Sequence, residues 1–140
     1  MSSRKAESTD VVLPVREGED PWTPEEVAEQ RAELVEELER LEKRIRVTEA
    51  ELASLLKGGT DGAGRDPADV GSSNFERDQE LSLAANVREM AEQQRLALSL
   101  FDQGEYGLCE VCGQPIGKGR LQVFPRATLC VACKQREERR

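Results

Sequence analysis

The chain contains no histidine. That removes the commonest general base and the side chain that titrates nearest neutral pH. Aromatic residues make up 4% of the sequence and hydrophobic residues 37%, against 34% charged. So little apolar material cannot bury a large globular core, and extended helices with a small metal-stapled module suit it better. No stretch approaches the ~20 apolar residues of a membrane span, and residues 1–10 lack the apolar centre of a signal peptide. The expectation is a cytoplasmic protein with reduced thiols and no membrane partner. A broad basic surface is missing too. The formal net charge is −8, which argues against direct, sequence-specific DNA binding. Basic residues collect only at the C-terminal end, where seven face four acidic ones over residues 104–140. Four thiolates on one Zn²⁺ would add roughly −2 there and bring the segment close to neutral.

What the chain does have is four cysteines in two pairs, Cys109-x-x-Cys112 and Cys130-x-x-Cys133, separated by seventeen residues. Two cysteines three apart can place both sulfurs on one ion from a single tight turn. Zn²⁺ in a structural site takes four such donors in a tetrahedron and keeps no open position. Gly113 follows the first pair, where such a turn needs positive φ. Two disulfides, a rubredoxin-like iron centre and a redox dithiol are the alternatives. Structural zinc is the reading the spacing favours, and a closed site argues against an enzyme.

Residues 1–22 read as a polar, disordered tail, since Val11-Val12-Leu13 has Pro14 behind it and no periodic partner. Thr23-Pro24-Glu25-Glu26 reads as a helix start: Thr23 as N-cap, Pro24 at the first helical position, Glu26 closing a capping box. Trp22 is placed to staple onto Val27. A helix to about Lys57 carries Val27, Leu34, Leu41, Thr48 and Leu55 seven apart, interleaved with Leu38, Ile45 and Leu52. At 1.5 Å per residue it is a rod of roughly 50 Å. The run Gly58 to Gly64 is expected to break it, and the chain stays irregular through Pro67 to about residue 72. Ser73 with Glu76 offers a second capping box for a helix to about Gln103. Its candidate seams are Leu83, Met90, Ala97 and Val87, Gln94, Phe101. Two such helices joined by a glycine-rich turn fold back as an antiparallel hairpin, with a parallel dimer as the competing arrangement. Thr48 and Gln94, polar within the seams, are candidates for fixing register.

The fold expected is therefore mainly α: a disordered tail (1–22), a long antiparallel coiled-coil hairpin (23–103) with its tip near 58–72, and a four-cysteine module (104–140). Short loops and ribbon pieces ordered by the metal, then a short helix from about Cys130, complete that module. Arg120 and Arg126, flanking its apolar pieces, read as solvated charge or as salt bridges to helix glutamates.

Beyond the cysteines, the string Gly104, Tyr106, Gly107, Cys109, Cys112, Gly113, Ile116, Arg120, Leu121, Pro125, Ala127, Cys130, Cys133 resembles the TraR/DksA C4-type zinc-finger family. The resemblance extends over about residues 23–140 and leaves 1–22 outside. It implies a transcription factor that binds RNA polymerase, with the hairpin inserted through the secondary channel and the zinc module outside. The family's tip motif D-x-x-D-x-A corresponds to Asp66-Pro67-Ala68-Asp69-Val70-Gly71, with glycine in place of the final alanine. The resemblance implies that Asp66 and Asp69 reach towards the polymerase active site and alter initiation through open-complex stability. Carboxylates delivered there act through charge on Mg²⁺ and phosphates, since hard cations prefer oxygen. On the residues alone, the two aspartates read more readily as turn formers. Some members respond with the alarmone ppGpp through basic side chains. Lys134 matches one such position, whereas Phe124 and Gln93 stand at two others. One cation underneutralises a polyphosphate, so weak or absent ppGpp synergy is expected. A zinc-stabilised coiled-coil adaptor for some other protein is the alternative. A transcript-cleavage factor of the GreA/GreB type fits less well, because those lack a four-cysteine finger.

Overall fold

A computed structural model of the 140-residue chain describes residues 12–59 and 67–139, apart from the side chains at 58, 59, 67–70 and 73. Four helices are present in that range: α1 (Pro24–Gly59), α2 (Pro67–Gln103), α3 (Lys118–Val123) and α4 (Val131–Glu138). By contacts the chain divides into two compact units, Met1–Glu37 with Gln93–Arg140, and Leu38–Glu92.

The predicted start of α1 is present in both halves of its capping box. Thr23 N–H donates to Glu26 Oε1 at 2.9 Å, and Glu26 N–H donates to Thr23 Oγ1 at 3.1 Å. Trp22 packs against the cluster that holds Val27. The helix runs through Gly58 and Gly59, two residues past the expected end.

The start of α2 differs more. It begins at Pro67, not after Ser73. Proline suits the first helical position, where its missing N–H has no intrahelical partner anyway. Of the segment expected to be irregular, residues 67–72, including Asp69 and Gly71, thus form the first turn and a half of a helix with Ser73 inside it, and residues 60–66 lie outside the described range.

The pairing of α1 with α2 is antiparallel. In the unit of residues 38–92, Leu41, Val87 and Ala91 form a buried cluster with Leu38, Ile45 and Met90 packed on it, and Arg88 pairs with Glu49. In the other unit Gln94 Nε2 donates to Leu34 O at 3.0 Å, and Arg31 makes a two-pronged pair with Asp102 at 2.9 and 3.1 Å. Rising numbers on α1 meet falling numbers on α2. Both polar seam residues are buried as expected, with Thr48 Oγ1 donating to Ile45 O at 3.1 Å. The seam on α2 departs from the simple heptad. Leu83 is exposed, while Ala84 and Ala91 are buried. Small side chains let the two backbones approach, and the flanking leucine is turned outward.

The larger core gathers Val27 and Leu34 of α1, Ala97 and Phe101 of α2, and Tyr106, Ile116 and Leu121 of the C-terminal segment, together with Leu13. Full burial of a leucine-sized side chain stabilises by about 1.5–3 kcal/mol. Leu13 corrects the expectation of a free tail, because residues 12–22 are docked. Residues 1–11 lie outside the described range. The C-terminal segment also contains more helix than expected. Among the described residues its only β pairing is the isolated bridge Leu108 to Pro115, and α3 occupies the stretch expected to be loop.

Candidate metal centre

Each cysteine pair is set by local backbone geometry. Gly113 sits at φ 75°, and its N–H donates to Cys109 O at 2.9 Å. The tight turn thus forms where glycine was expected to be needed. The second pair straddles the start of α4, with Cys130 as its N-cap residue and Cys133 in its first turn. Glu110 N–H donates to Thr128 O at 2.9 Å, tying the first turn to the strand of chain entering the second. Arg120 Nε donates to Leu129 O at 3.1 Å and its guanidinium lies 5.4 Å from the Phe124 ring. Half-buried, it holds the residue before Cys130 in place, a role beyond the solvated charge or helix salt bridge expected of it.

The four sulfurs converge. All Sγ atoms lie within 4.8 Å of one another, and Cys112 Sγ stands 3.8 Å from Cys130 Sγ. A tetrahedron of sulfurs about ~2.3 Å from Zn²⁺ has edges of about 3.8 Å. None of the four is in a disulfide, and three are buried with Cys112 exposed. The donor set, spacing and burial fit one structural Zn²⁺ with no free coordination position.

The local electrostatics support thiolates. Burial pushes the Cys109 thiol up, but the N–H groups of Cys112, Cys130 and Val111 outweigh it and bring it down to about 6. Cys130 is lowered, first by the N–H of Cys133. Cys133 is pushed up to about 12 by burial and then by its sulfur neighbours. Thiols this close cannot all ionise unless a cation sits among them, which is the role a metal fills. Arg136 Nη2, 3.5 Å from Cys133 Sγ, offsets part of the negative charge.

Tyr106 joins this centre to the helices. Gln30 Nε2 donates to Tyr106 Oη at 2.8 Å and to Leu121 O at 2.7 Å, and Tyr106 Oη donates to Pro125 O at 2.7 Å. Its ring packs tilted on Phe101 at 5.3 Å between centroids. Burial pushes the phenol up to about 12, against a smaller lowering from Gln30. Gly107, at φ 97°, has Leu121 Cδ1 and Pro14 3.3 and 3.4 Å from where a Cβ would lie, so this close approach of the N-terminal segment requires glycine. Glu19 then caps α3. Its Oε1 accepts from Lys118 N at 2.9 Å and its Oε2 from Gly119 N at 3.0 Å. Lys118 Nζ pairs with Glu26 Oε1 at 2.6 Å and lies 5.9 Å from the Trp22 ring.

Gln30 and Glu19 carry no signal in the sequence, and Leu13 reads there as part of a free tail. The hydrogen-bond partners of Gln30 in the C-terminal segment lie 76 and 91 positions away and those of Glu19 on α3 lie 99 and 100 away, so no local pattern marks them. Tyr106 was visible only as one letter of the family string.

Beside the metal centre is a groove of about 870 Å³. Lys134, Phe124 and Gln93, the three positions tied to ppGpp by resemblance, all line it. Of the tip residues, Asp66 lies outside the described range. Asp69 is in the first turn of α2, its side chain undescribed, and Gly71 is exposed with open space where a Cβ would lie. No helix among the described residues is long and apolar enough to cross a membrane.

The prokaryotic dksA/traR C4-type zinc finger matches residues 104–139. The RNA polymerase-binding transcription factor DksA of Caulobacter vibrioides is 40% identical over 75 residues, 54% of this chain and 53% of that protein. Its Haemophilus influenzae counterpart is 35% identical over 69 residues, 49% of this chain and 48% of that protein. The chain thus spans about half the length of these curated relatives. The solved structure of transcription factor DksA2 from Pseudomonas aeruginosa is 32% identical, covers 79% of this chain and 81% of its own, and superposes with a TM-score of 0.65.

Proposed function

Because the chain belongs to the dksA/traR family of C4-type zinc-finger proteins, we propose that it binds RNA polymerase in the cytoplasm and regulates transcription initiation without catalysing a reaction. The observation that carries this is the likeness, over four fifths of its length, to the solved transcription factor DksA2, joined to relatives named for polymerase binding. In this reading the hairpin enters the secondary channel. Asp66 and Asp69 then come near the active site and change open-complex lifetime. Zn²⁺ on Cys109, Cys112, Cys130 and Cys133 holds the base together and does no chemistry.

Synergy with ppGpp is expected to be weak or absent. The groove around Lys134 carries Glu33, Glu37, Glu110, Glu137 and Glu138 against Arg120, Arg126 and Lys134, and a polyphosphate needs a surplus of cationic donors.

The test is pull-down of purified polymerase with the full chain, followed by open-complex lifetimes for wild type and Asp66→Asn/Asp69→Asn. The double variant is expected to bind and to lose the effect on lifetime. A variant as active as wild type removes the tip from the mechanism. Failure of wild type to bind polymerase removes the reading itself and leaves an adaptor for another protein.

A further inference from the structure

Residues 12–22 lie across the stretch from Gly107 to Leu121. Leu13 is buried in one cluster with Tyr106, Ile116 and Leu121. Pro14 Cδ and Cγ stand 3.4 Å from where a Cβ on Gly107 would lie, and Arg16 Cδ stands 3.0 Å from the same point on Gly117. Glu19 accepts from Lys118 N at 2.9 Å and Gly119 N at 3.0 Å, and Pro21 O accepts from Lys118 Nζ at 3.4 Å. Inside the segment, Arg16 N donates to Glu19 Oε1 at 2.7 Å and Glu19 N to Arg16 O at 3.0 Å. One such turn does not repay the entropy of ordering the segment in water. Its shape is held by the surface beneath it.

That surface is set by the metal centre. Gly107 stands two residues before Cys109, and α3 lies in the loop between Cys112 and Cys130. With 6 residues, α3 is too short to persist unaided. Its loop is pinned at the two cysteine turns, by Glu110 N–H on Thr128 O and by Arg120 Nε on Leu129 O. Cys109, Cys130 and Cys133 are themselves members of the cluster that holds Leu13. Four sulfurs within 4.8 Å of one another stay together as thiolates only around a cation, and metal binding to such a module is also folding free energy. The seat of Leu13 and the two N–H donors to Glu19 are therefore assembled by the ion. A ligand that binds one of two states is tightened by whatever else stabilises that state.

We propose that residues 12–22 are a metal-gated strap. They dock on the zinc-loaded module, leave it when the ion is lost, and by reciprocity raise the affinity of the four cysteines for Zn²⁺. Leu13 and Glu19 thus act as positioning residues for a metal they do not touch, from about a hundred positions away in the chain. Release of the strap turns an empty site into exposed Leu13 and Trp22.

The experiment uses the full zinc-loaded chain. Equilibrium zinc affinity is measured by competition with a chromophoric chelator for wild type, Leu13→Ala, Glu19→Gln and Arg31→Ala. The last removes the ion pair to Asp102 between the two long helices, so it lowers stability without entering the strap. Leu13→Ala is expected to weaken zinc binding about tenfold, within the range typical of coupled sites. Glu19→Gln replaces one of two acceptor oxygens by an amide that faces an N–H, and is expected to weaken it about threefold. Arg31→Ala is expected to bind zinc within about twofold of wild type, since exposed ion pairs contribute little. In parallel, hydrogen exchange read by mass spectrometry follows wild type as the chelator withdraws the metal. Residues 12–22 are expected to lose protection in step with zinc, while the helix segments carrying Leu41, Val87 and Ala91 keep theirs.

Strap variants that bind zinc as tightly as wild type overturn the coupling. A loss in Arg31→Ala as large as in Leu13→Ala overturns it too, because the affinity then follows overall stability. So does protection of residues 12–22 that survives complete metal removal. Where Leu13→Ala fails to fold, Glu19→Gln decides the matter by the same measurement.

Discussion

Tyr106 is the residue through which most of the base is connected. It accepts from Gln30 and donates to Pro125 O. Tyr106→Phe leaves that carbonyl and one amide hydrogen of Gln30 short of a partner inside the core, at a cost of about 1–3 kcal/mol. Urea unfolding of the zinc-loaded protein measures it. The same residue predicts a pH limit. Its folded pKa is raised from 10.0 to about 12, so folding favours the protonated phenol. That contribution is complete below pH ~10 and is lost as pH rises towards 12, at about 1.4 kcal/mol per pH unit. Alkaline unfolding followed by circular dichroism is expected to shift upward in Tyr106→Phe relative to its own neutral-pH stability. Gly71 offers the opposite kind of change. It is helical, exposed and has open space where a Cβ would lie, so Gly71→Ala should add about 0.5–1 kcal/mol in the same urea measurement.

Among the elements, residues 12–22 were the least visible in the sequence. Leu13 is buried at 4% exposure, and Leu13→Ala is expected to cost 2–5 kcal/mol. Glu19 ties the segment to α3 and is held below the usual carboxylate range by the N–H groups of Arg16 and Gly119, then that of Lys118. Its contribution is therefore present above pH ~4.5 and lost as pH falls through the lowered value. Trp22, the single tryptophan, reports this junction. Its fluorescence should change more on acidification in wild type than in Glu19→Gln, where only Glu26, held low first by its bond to Lys118, still titrates beside it. The elements that were legible rest on short-range rules: the Thr23–Glu26 box, the Cys130 start of α4, and the Leu34, Leu41, Thr48 seam of α1. The seam of α2 was only half legible, because Ala84 and Ala91 carry the burial that a leucine-based pattern assigns to Leu83. The docked segment was not legible at all. One short apolar cluster followed by proline looks the same free or bound, and its partners are fixed by tertiary packing.

At the scale of the whole molecule, each of the two compact units has its own apolar cluster, but only one contains the cysteines. Metal removal should therefore act on one unit. A strong chelator, or Cys112→Ser, is expected to lower zinc from about one per chain and to split thermal unfolding into two transitions. The first would be metal-dependent and the second, carried by the Leu41, Val87, Ala91 pairing, would not. Calorimetry with and without chelator checks this, and a single transition in both would show that the helices depend on the metal throughout.

The contact between Glu19 and Gly119 joins residues 100 positions apart, and that separation is also an interval of time. A ribosome adding about 5–20 residues per second needs roughly 5–20 s to go from one to the other. Through most of that interval Leu13 and Trp22 have been made but Tyr106, Ile116 and Leu121, the C-terminal part of the cluster they join, have not. Residues 12–22, made early, are thus among the last to find their place. A nascent chain halted before α3 keeps these apolar side chains protease-accessible, so docking of residues 12–22 marks a chain that has been read past α3.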